Sequence, residues 1–258
     1  MEIADFTRDL FSLEGKRALV TGGNGGLGRA FTVALAAAGA DVLVASLVDD
    51  DGSTRRLVEE RGRRYVLAQT DITRPGAAAE VVAECVSSLG GLDILVNCAG
   101  INLLDSVLDY DRDKWDPMIA VNLTAAFDFT REAAKVMVPQ GRGKIVNIGS
   151  LFSFLGGKGA PAYAASKAGI AGLGRAYADE LGEYGIQVNT IAPGYFATAI
   201  TEKTRSDPEA SRRILEHIPA GRWGDPADLM GALVFLCSRA SDYVTGHTLT
   251  VDGGYLIR

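Results

Sequence analysis

Arg17-Ala-Leu-Val-Thr-Gly-Gly-Asn-Gly-Gly-Leu-Gly28 is the stretch whose reading decides the fold. Its first five residues form an apolar run of strand length. The glycines that follow open the helical pattern 26–38, which Gly39 ends. A strand passing through a glycine turn into a helix is the first half of a βαβ unit. Small residues there let the backbone turn tightly and approach a phosphate seated on the helix N-terminus. Two registers fit: Gly23, Gly25 and Gly28, or the wider spacing Gly22, Gly26 and Gly28.

Working outward, strand-like runs recur at 41–46, 65–68, 92–96, 144–148, 186–191 and 247–251. Helical patterns fill the gaps at 55–61, 77–89, 113–138, 162–184 and 226–237. Strands alternating with helices imply right-handed crossovers and a parallel sheet covered on both faces. No repeat, low-complexity tract or linker interrupts the pattern, so residues 1–258 read as one α/β domain. The stretch 194–224 is the least regular. It holds Pro208 and Pro219 among many charges, and is the candidate substrate-covering segment.

Composition narrows the function classes. Hydrophobic residues make up 47% of the 258, which suits a globular protein. A net charge of −6 argues against nucleic-acid or anionic-membrane partners. Cys85, Cys98 and Cys237 show no paired spacing, as expected in a reducing compartment. His217 and His247 lack ligand neighbours one turn away, so no metal site is expected. Met1–Phe6 carries no basic, apolar leader and no run reaches transmembrane length, so a cytoplasmic protein is expected.

The candidate nucleotide contacts follow the strand ends, where doubly wound sheets bind ligands. Gly22, Asn24, Gly26, Leu27 and Gly28 lie in the first turn. Ser46 ends the second strand and precedes Asp49, Asp50 and Asp51. An acid there suits the ribose diol of NAD, and an Arg suits the 2′-phosphate of NADP. A 2′-phosphate about 8 Å from those carboxylates would meet roughly 0.5 kcal/mol of repulsion per charge pair even with water-like screening. NAD is therefore expected over NADP, with Arg55 or Arg56 as the groups that could reverse this. Asp71 and Ile72 follow the third strand, and Asn97, Ala99 and Gly100 follow the fourth. Pro193 and Gly194 follow the sixth, with Thr198 beyond them.

Tyr163 and Lys167 stand one helical turn apart and share a face. Bringing a tyrosine from its ordinary value near 10 to about 7 takes roughly 4 kcal/mol in favour of the phenolate. Burial works against that, so the expectation is that Lys167 supplies the positive charge. Ser150, just after the fifth strand, can donate to the same substrate oxygen. Asn122 lies inside a helical pattern where propensity gives it no reason to be. An isolated Tyr-x-x-x-Lys is most often an ordinary amphipathic pair; its company here points to proton transfer.

These motifs, in this order and spacing, resemble the short-chain dehydrogenase/reductase family. The carriers are the glycine turn at 21–28, Asn97-Cys-Ala-Gly100, Asn122, Ser150, Tyr163-x-x-x-Lys167 and Pro193-Gly194, from about Phe11 to Arg258. The resemblance implies one Rossmann-type doubly wound domain with a seven-stranded parallel sheet, assembled as a homotetramer. It implies Tyr163 as acid/base, with Lys167 lowering its pKa and binding the nicotinamide ribose. Ser150 would orient the substrate oxygen, and Asn122 would hold a relay water.

A narrower resemblance links 11–15, 218–224, 228–231, 240–244 and 251–255 to the 2-dehydro-3-deoxy-D-gluconate 5-dehydrogenases, also called 2-deoxy-D-gluconate 3-dehydrogenases. It implies a sugar-acid substrate. Two departures stand against it. Related enzymes place an Arg after the Asn-x-Ala-Gly turn, where this chain has Ile101-Asn-Leu-Leu-Asp105, and a basic residue just before Pro-x-Tyr, where Gly159 and Ala160 follow Lys158. Leu151, Phe152, Phe154 and Leu155 add apolar side chains near Ser150, which keeps a 3-oxoacyl thioester or another apolar ketone open as substrate. A nucleotide-binding regulator without chemistry is the alternative of another class.

Overall fold

The computed structural model describes residues 7–258, so the reading of Met1–Phe6 lies outside the described residues. Seven parallel strands form one sheet in the order β3-β2-β1-β4-β5-β6-β7. They are β1 (Arg17–Thr21), β2 (Asp41–Ser46), β3 (Tyr65–Gln69), β4 (Ile94–Asn97), β5 (Gly143–Ile148), β6 (Ile186–Pro193) and β7 (Thr248–Val251). The helices are α1 (Gly26–Ala37), α2 (Ser53–Glu59), α3 (Ala77–Leu89), α4 (Arg112–Ile119), α5 (Ala125–Gln140), α6 (Pro161–Leu181), α7 (Glu202–Ser206), α8 (Pro208–His217) and α9 (Met230–Cys237).

Strand alternation sorts the apolar side chains into two cores. Ala18 and Val20 of β1 face Phe31 and Leu35 of α1 and Leu233 and Leu236 of α9. Leu19 faces the other way, into Val81 and Leu89 of α3 and Phe129 and Met137 of α5. A strand buried on both faces reads as a continuous apolar run, which is why Arg17–Thr21 shows no polar alternation.

The strand order reverses between β1 and β4, where Thr21 pairs with Asn97. A crevice opens at such a switch point beyond the carboxyl ends of the strands. It lies among the glycine turn, the end of β2 and the turn after β4.

Two regions differ from the periodicity. The 113–138 pattern is not one regular helix, because Ala120–Thr124 between α4 and α5 is a π-helical turn. Such a turn bulges the helix by one residue, and here it carries Asn122. The irregular 194–224 stretch contains α7 and α8. Asp207 caps α8 by accepting from the N–H groups of Glu209 and Ala210, with Pro208 as its first residue.

Candidate active site

The glycine turn is built on close approaches. Gly22 and Gly26 have φ of 68° and 49°, the left-handed region that favours glycine. A β-carbon on Gly28 would stand 2.0 Å from the Gly22 carbonyl oxygen, and one on Gly22 would stand 3.0 Å from Ala99 Cα. A β-carbon on Gly25 would meet nothing within 4 Å. Gly22 and Gly26 by their φ and Gly28 by contact fit the wider register, and Gly23 is crowded as well, with an added β-carbon 2.6 Å from Thr32 Oγ1. Thr21 Oγ1 accepts from Cys98 N at 3.0 Å and Ala99 N at 3.1 Å, which ties the turn after β4 to the glycine turn.

A cleft of about 510 Å³ follows from this packing. Gly22, Asn24, Gly26, Leu27, Gly28, Ser46, Asp71, Ile72, Ala99 and Gly100 line the end at the glycine turn. Ser150, Tyr163, Lys167, Pro193, Gly194 and Thr198 line the other end. Of the expected contacts, Asn97 alone lies beneath this wall. Its Nδ2 donates to Asn147 Oδ1 at 2.8 Å and Thr130 Oγ1 at 3.1 Å inside the sheet. Strand position alone did not distinguish a cleft residue from one turned into the fold. Within the 194–224 segment, Phe196 and Ile200, which the sequence did not single out, also line the cleft.

Hydrogen bonds staple the end of β2. Ser46 Oγ donates to Asn24 Oδ1 at 2.8 Å, and Asn24 Nδ2 donates to the Val48 carbonyl at 2.8 Å. Asp50 accepts from Thr54 N and Arg55 N, and Asp51 from Ser53 N, so these acids cap α2. The basic group at this loop is Arg29. It donates to Thr54 Oγ1 at 3.1 Å and the Asn24 carbonyl at 3.2 Å, and lies 3.9 Å from Asp51.

At the other end, α6 presents Tyr163 and Lys167 from one face. Pro161 starts this helix with φ already set for it. Lys167 Nζ donates to the Ile148 carbonyl at 2.7 Å and stands 5.6 Å from the Tyr163 ring centroid. Phe152 packs edge-on to Tyr163 at 5.6 Å. Burial pushes the Lys167 ammonium down to about 8. Burial likewise holds the Tyr163 hydroxyl above its ordinary value, against a hydrogen bond from Ser150 that pulls it down. In the chain alone Lys167 thus does not bring Tyr163 toward neutrality. Desolvation is the largest influence on each of the two groups.

Asn122 has a structural task that its helical position concealed. Its Oδ1 accepts from Ile101 N at 2.9 Å and its Nδ2 donates to the Ile101 carbonyl at 2.9 Å. It fixes the chain just after Gly100, and its side chain is not on the cleft wall. Ser150 and Ser153 cap the short turn that follows β5, and Ser153 Oγ donates to the Lys167 carbonyl at 2.7 Å.

Chemically, a cleft with a glycine cradle at one end and the half-buried hydroxyls of Ser150 and Tyr163 beside an ammonium at the other can hold a dinucleotide and exchange a proton with an oxygen. The shape needs glycine at 22 and 28, where a side chain would intrude on backbone, so the residues fit such a cofactor.

Known proteins are similar to this chain over nearly its whole length. The family model described as Enoyl-(Acyl carrier protein) reductase matches residues 22–256. A protein of Escherichia coli (strain K12) named Uncharacterized oxidoreductase YgcW is 58% identical, over 98% of this chain and 97% of its own. The 2-dehydro-3-deoxy-D-gluconate 5-dehydrogenase of Bacillus subtilis (strain 168) is 46% identical, over 98% of this chain and 99% of its own. The crystal structure of a gluconate 5-dehydrogenase from Burkholderia cenocepacia J2315, in complex with NADP and tartrate, has a TM-score of 0.91 at 36% identity. It covers 97% of this chain and 98% of its own. The chain belongs to the short-chain dehydrogenase/reductase family. It is an oxidoreductase of a family that works with nicotinamide cofactors.

Proposed function

We propose that this chain is a cytoplasmic homotetrameric dehydrogenase that moves a hydride between NAD(H) and a secondary alcohol or ketone of a sugar acid. The observation that carries the reading is the placement of Ser150, Tyr163 and Lys167 at one end of a cleft whose other end is the glycine turn. When bound, the nicotinamide supplies or accepts the hydride. Tyr163 gives its proton to the alkoxide formed in reduction, or takes one from the alcohol in oxidation. Ser150 donates to the same oxygen and orients it. Lys167 holds positive charge beneath them and takes the cofactor's ribose, and Asn122 keeps the 100–102 wall in place. The segment 194–224 covers the substrate.

The substrate class rests on the relatives, which include a 2-dehydro-3-deoxy-D-gluconate 5-dehydrogenase at 46% identity. The corresponding substrates here are 2-dehydro-3-deoxy-gluconate or 2-deoxy-gluconate. NAD rests on the carboxylates of Asp49, Asp50 and Asp51 beside Ser46, and on Arg29 being engaged by Asn24, Thr54 and Asp51. The homotetramer rests on the family resemblance, and Phe127 of α5, exposed on a long helix, offers apolar surface for it. Among the described residues no helix is long and apolar enough to cross a membrane.

A second reading has its own observation. Among the described residues Lys167 is the only basic side chain on the cleft wall, while Phe154 and Leu155 stand 55% and 42% exposed just past Ser150. A 3-oxoacyl thioester or another apolar ketone fits that surface. A panel of sugar acids and oxoacyl thioesters, followed at the NADH absorbance band, separates the two. Turnover confined to thioesters would overturn the sugar-acid assignment.

A further inference from the structure

The 198–217 stretch leaves and rejoins the fold through a narrow neck. Gly224 N donates to the Tyr195 carbonyl at 2.9 Å, and Ala197 N donates to the Gly224 carbonyl at 2.9 Å. A β-carbon on Gly224 would stand 2.6 Å from the Phe196 ring, so the two stems touch. Phe196 and Thr198 line the cleft directly above this neck.

Aromatic rings fill the back of the neck. Tyr195 meets Trp223 edge-on at 5.6 Å and Tyr255 at 5.2 Å, and Tyr255 meets His217 at 4.3 Å. The C-terminal turn is wedged into the same place. Gly194 N donates to the Val251 carbonyl at 2.9 Å, and Ala220 N to the Gly253 carbonyl at 3.0 Å. Asp252 Oδ1 and Oδ2 accept from Gly254 N and Leu256 N, each at 2.8 Å, which aims Tyr255 at Tyr195. Two ties then reach α8: Trp223 Nε1 donates to Ser211 Oγ at 3.1 Å, and Arg258 Nη1 donates to the Glu216 carbonyl at 3.0 Å.

We propose that Tyr255 is a positioning residue for substrate: packed on Tyr195 and His217, it latches both ends of the 198–217 segment and so sets the height of Phe196, Thr198 and Ile200 over the substrate end of the cleft. The inference rests on the reading of 194–224 as the substrate cover. Among the described residues Tyr255 is not on the cleft wall, so its loss reaches the site only through the segment that it packs against.

The test uses the full chain with Tyr255→Ala and Tyr255→Phe. Three quantities are read: NADH affinity, kcat and KM on whichever panel substrate turns over, and the rate of trypsin cleavage at Lys203, Arg212 and Arg213 by mass spectrometry. Tyr255→Ala is expected to raise KM about five- to tenfold, the size of a lost aromatic contact, with kcat within about twofold and NADH affinity lowered by a smaller factor than KM rises, because Thr198 belongs to the same segment. Cleavage in the segment accelerates by a similar factor, and Tyr255→Phe, which keeps the ring, restores both. Unchanged cleavage and KM in Tyr255→Ala overturn the proposal. So does cleavage that rises throughout the chain together with lost NADH binding, since that marks general loosening. Should Tyr255→Ala fail to fold, Ser211→Ala cuts the Trp223 tie instead and is expected to accelerate cleavage of the segment, and no acceleration overturns the latch. If no panel substrate turns over, the proposed activity fails while the cleavage rates still decide the latch.

Discussion

Asn122 grips Ile101 by both polar atoms of its amide, accepting from the backbone N–H and donating to the carbonyl at 2.9 Å each. The side chain mimics a strand partner for a residue that has none. Asn122 is buried and Ile101 half-buried, so losing the amide leaves two partly buried backbone groups without these partners. Asn122→Leu is expected to destabilise the fold by about 2–4 kcal/mol, from two unsatisfied groups. Asn122→Asp keeps the acceptor but sets a second oxygen against the Ile101 carbonyl and buries a charge, so it should lose at least as much. Urea unfolding of the three proteins checks the order, and equal midpoints would mean that Ile101 finds other partners.

Tyr163→Phe removes the one hydroxyl placed to exchange a proton at the cleft's substrate end. Loss of a positioned acid/base slows turnover by about 10²–10⁴-fold. NADH affinity should stay within about twofold, because the glycine turn is untouched. Retained turnover in this variant would sink the proton-transfer role.

The pH dependence follows from the same residue. Burial holds the Tyr163 hydroxyl above its ordinary value, so the free enzyme keeps the proton through the neutral range. Reduction needs that proton and should hold a plateau until pH passes that raised value. Oxidation needs the phenolate and should rise with pH. Lys167, pushed down to about 8 by burial, loses its charge as pH rises through that value, which removes the positive neighbour that favours phenolate. Initial rates in both directions from pH 6 to 10 check this: reduction should stay on its plateau while oxidation rises. Parallel profiles would point to a different group.

Most of the framework was legible in the sequence because burial on both faces writes each strand as an apolar run, as in Val42-Leu-Val44. What stayed hidden depends on groups distant in the chain. The π-helical turn at Ala120–Thr124 leaves no local mark beyond an asparagine in a helix. The inward turn of Asn97 is set by Asn147 and Thr130, 50 and 33 residues away. The height of the Tyr163 pKa is a matter of desolvation, which spacing to Lys167 cannot report. For α8 a signal was present: Asp207-Pro208-Glu209 is a capped helix start, and the surrounding charges masked it.

Cofactor choice gives a further test. A 2′-phosphate at Ser46 would enter the field of Asp49, Asp50 and Asp51, while Arg29 is engaged by the loop itself. The ratio of kcat/KM for NAD over NADP is expected to exceed about tenfold, from a few pair repulsions of roughly 0.5 kcal/mol each. The difference should shrink in high salt, because these groups are exposed and salt screens them. A preference for NADP would overturn the assignment and place the phosphate against Arg29 or Arg55.

Gly25 and Gly28 are neighbours in the same turn with opposite constraints. A β-carbon on Gly28 would stand 2.0 Å from the Gly22 carbonyl oxygen, and this oxygen belongs to backbone that cannot swing aside. Gly25 has φ of −147° and nothing within 4 Å of the same added atom. Gly28→Ala should therefore force α1 away from the glycine turn and destabilise the cofactor-free protein by about 1–3 kcal/mol, the range for overpacking. Gly25→Ala should unfold with the wild-type midpoint, since extended backbone suits any residue. Gly25 does line the cleft, so NADH titration of Gly25→Ala then reads the approach of the cofactor to that backbone without a change in fold. Equal stability losses at the two positions would mean that the turn is held by something other than the contact between Gly22 and Gly28.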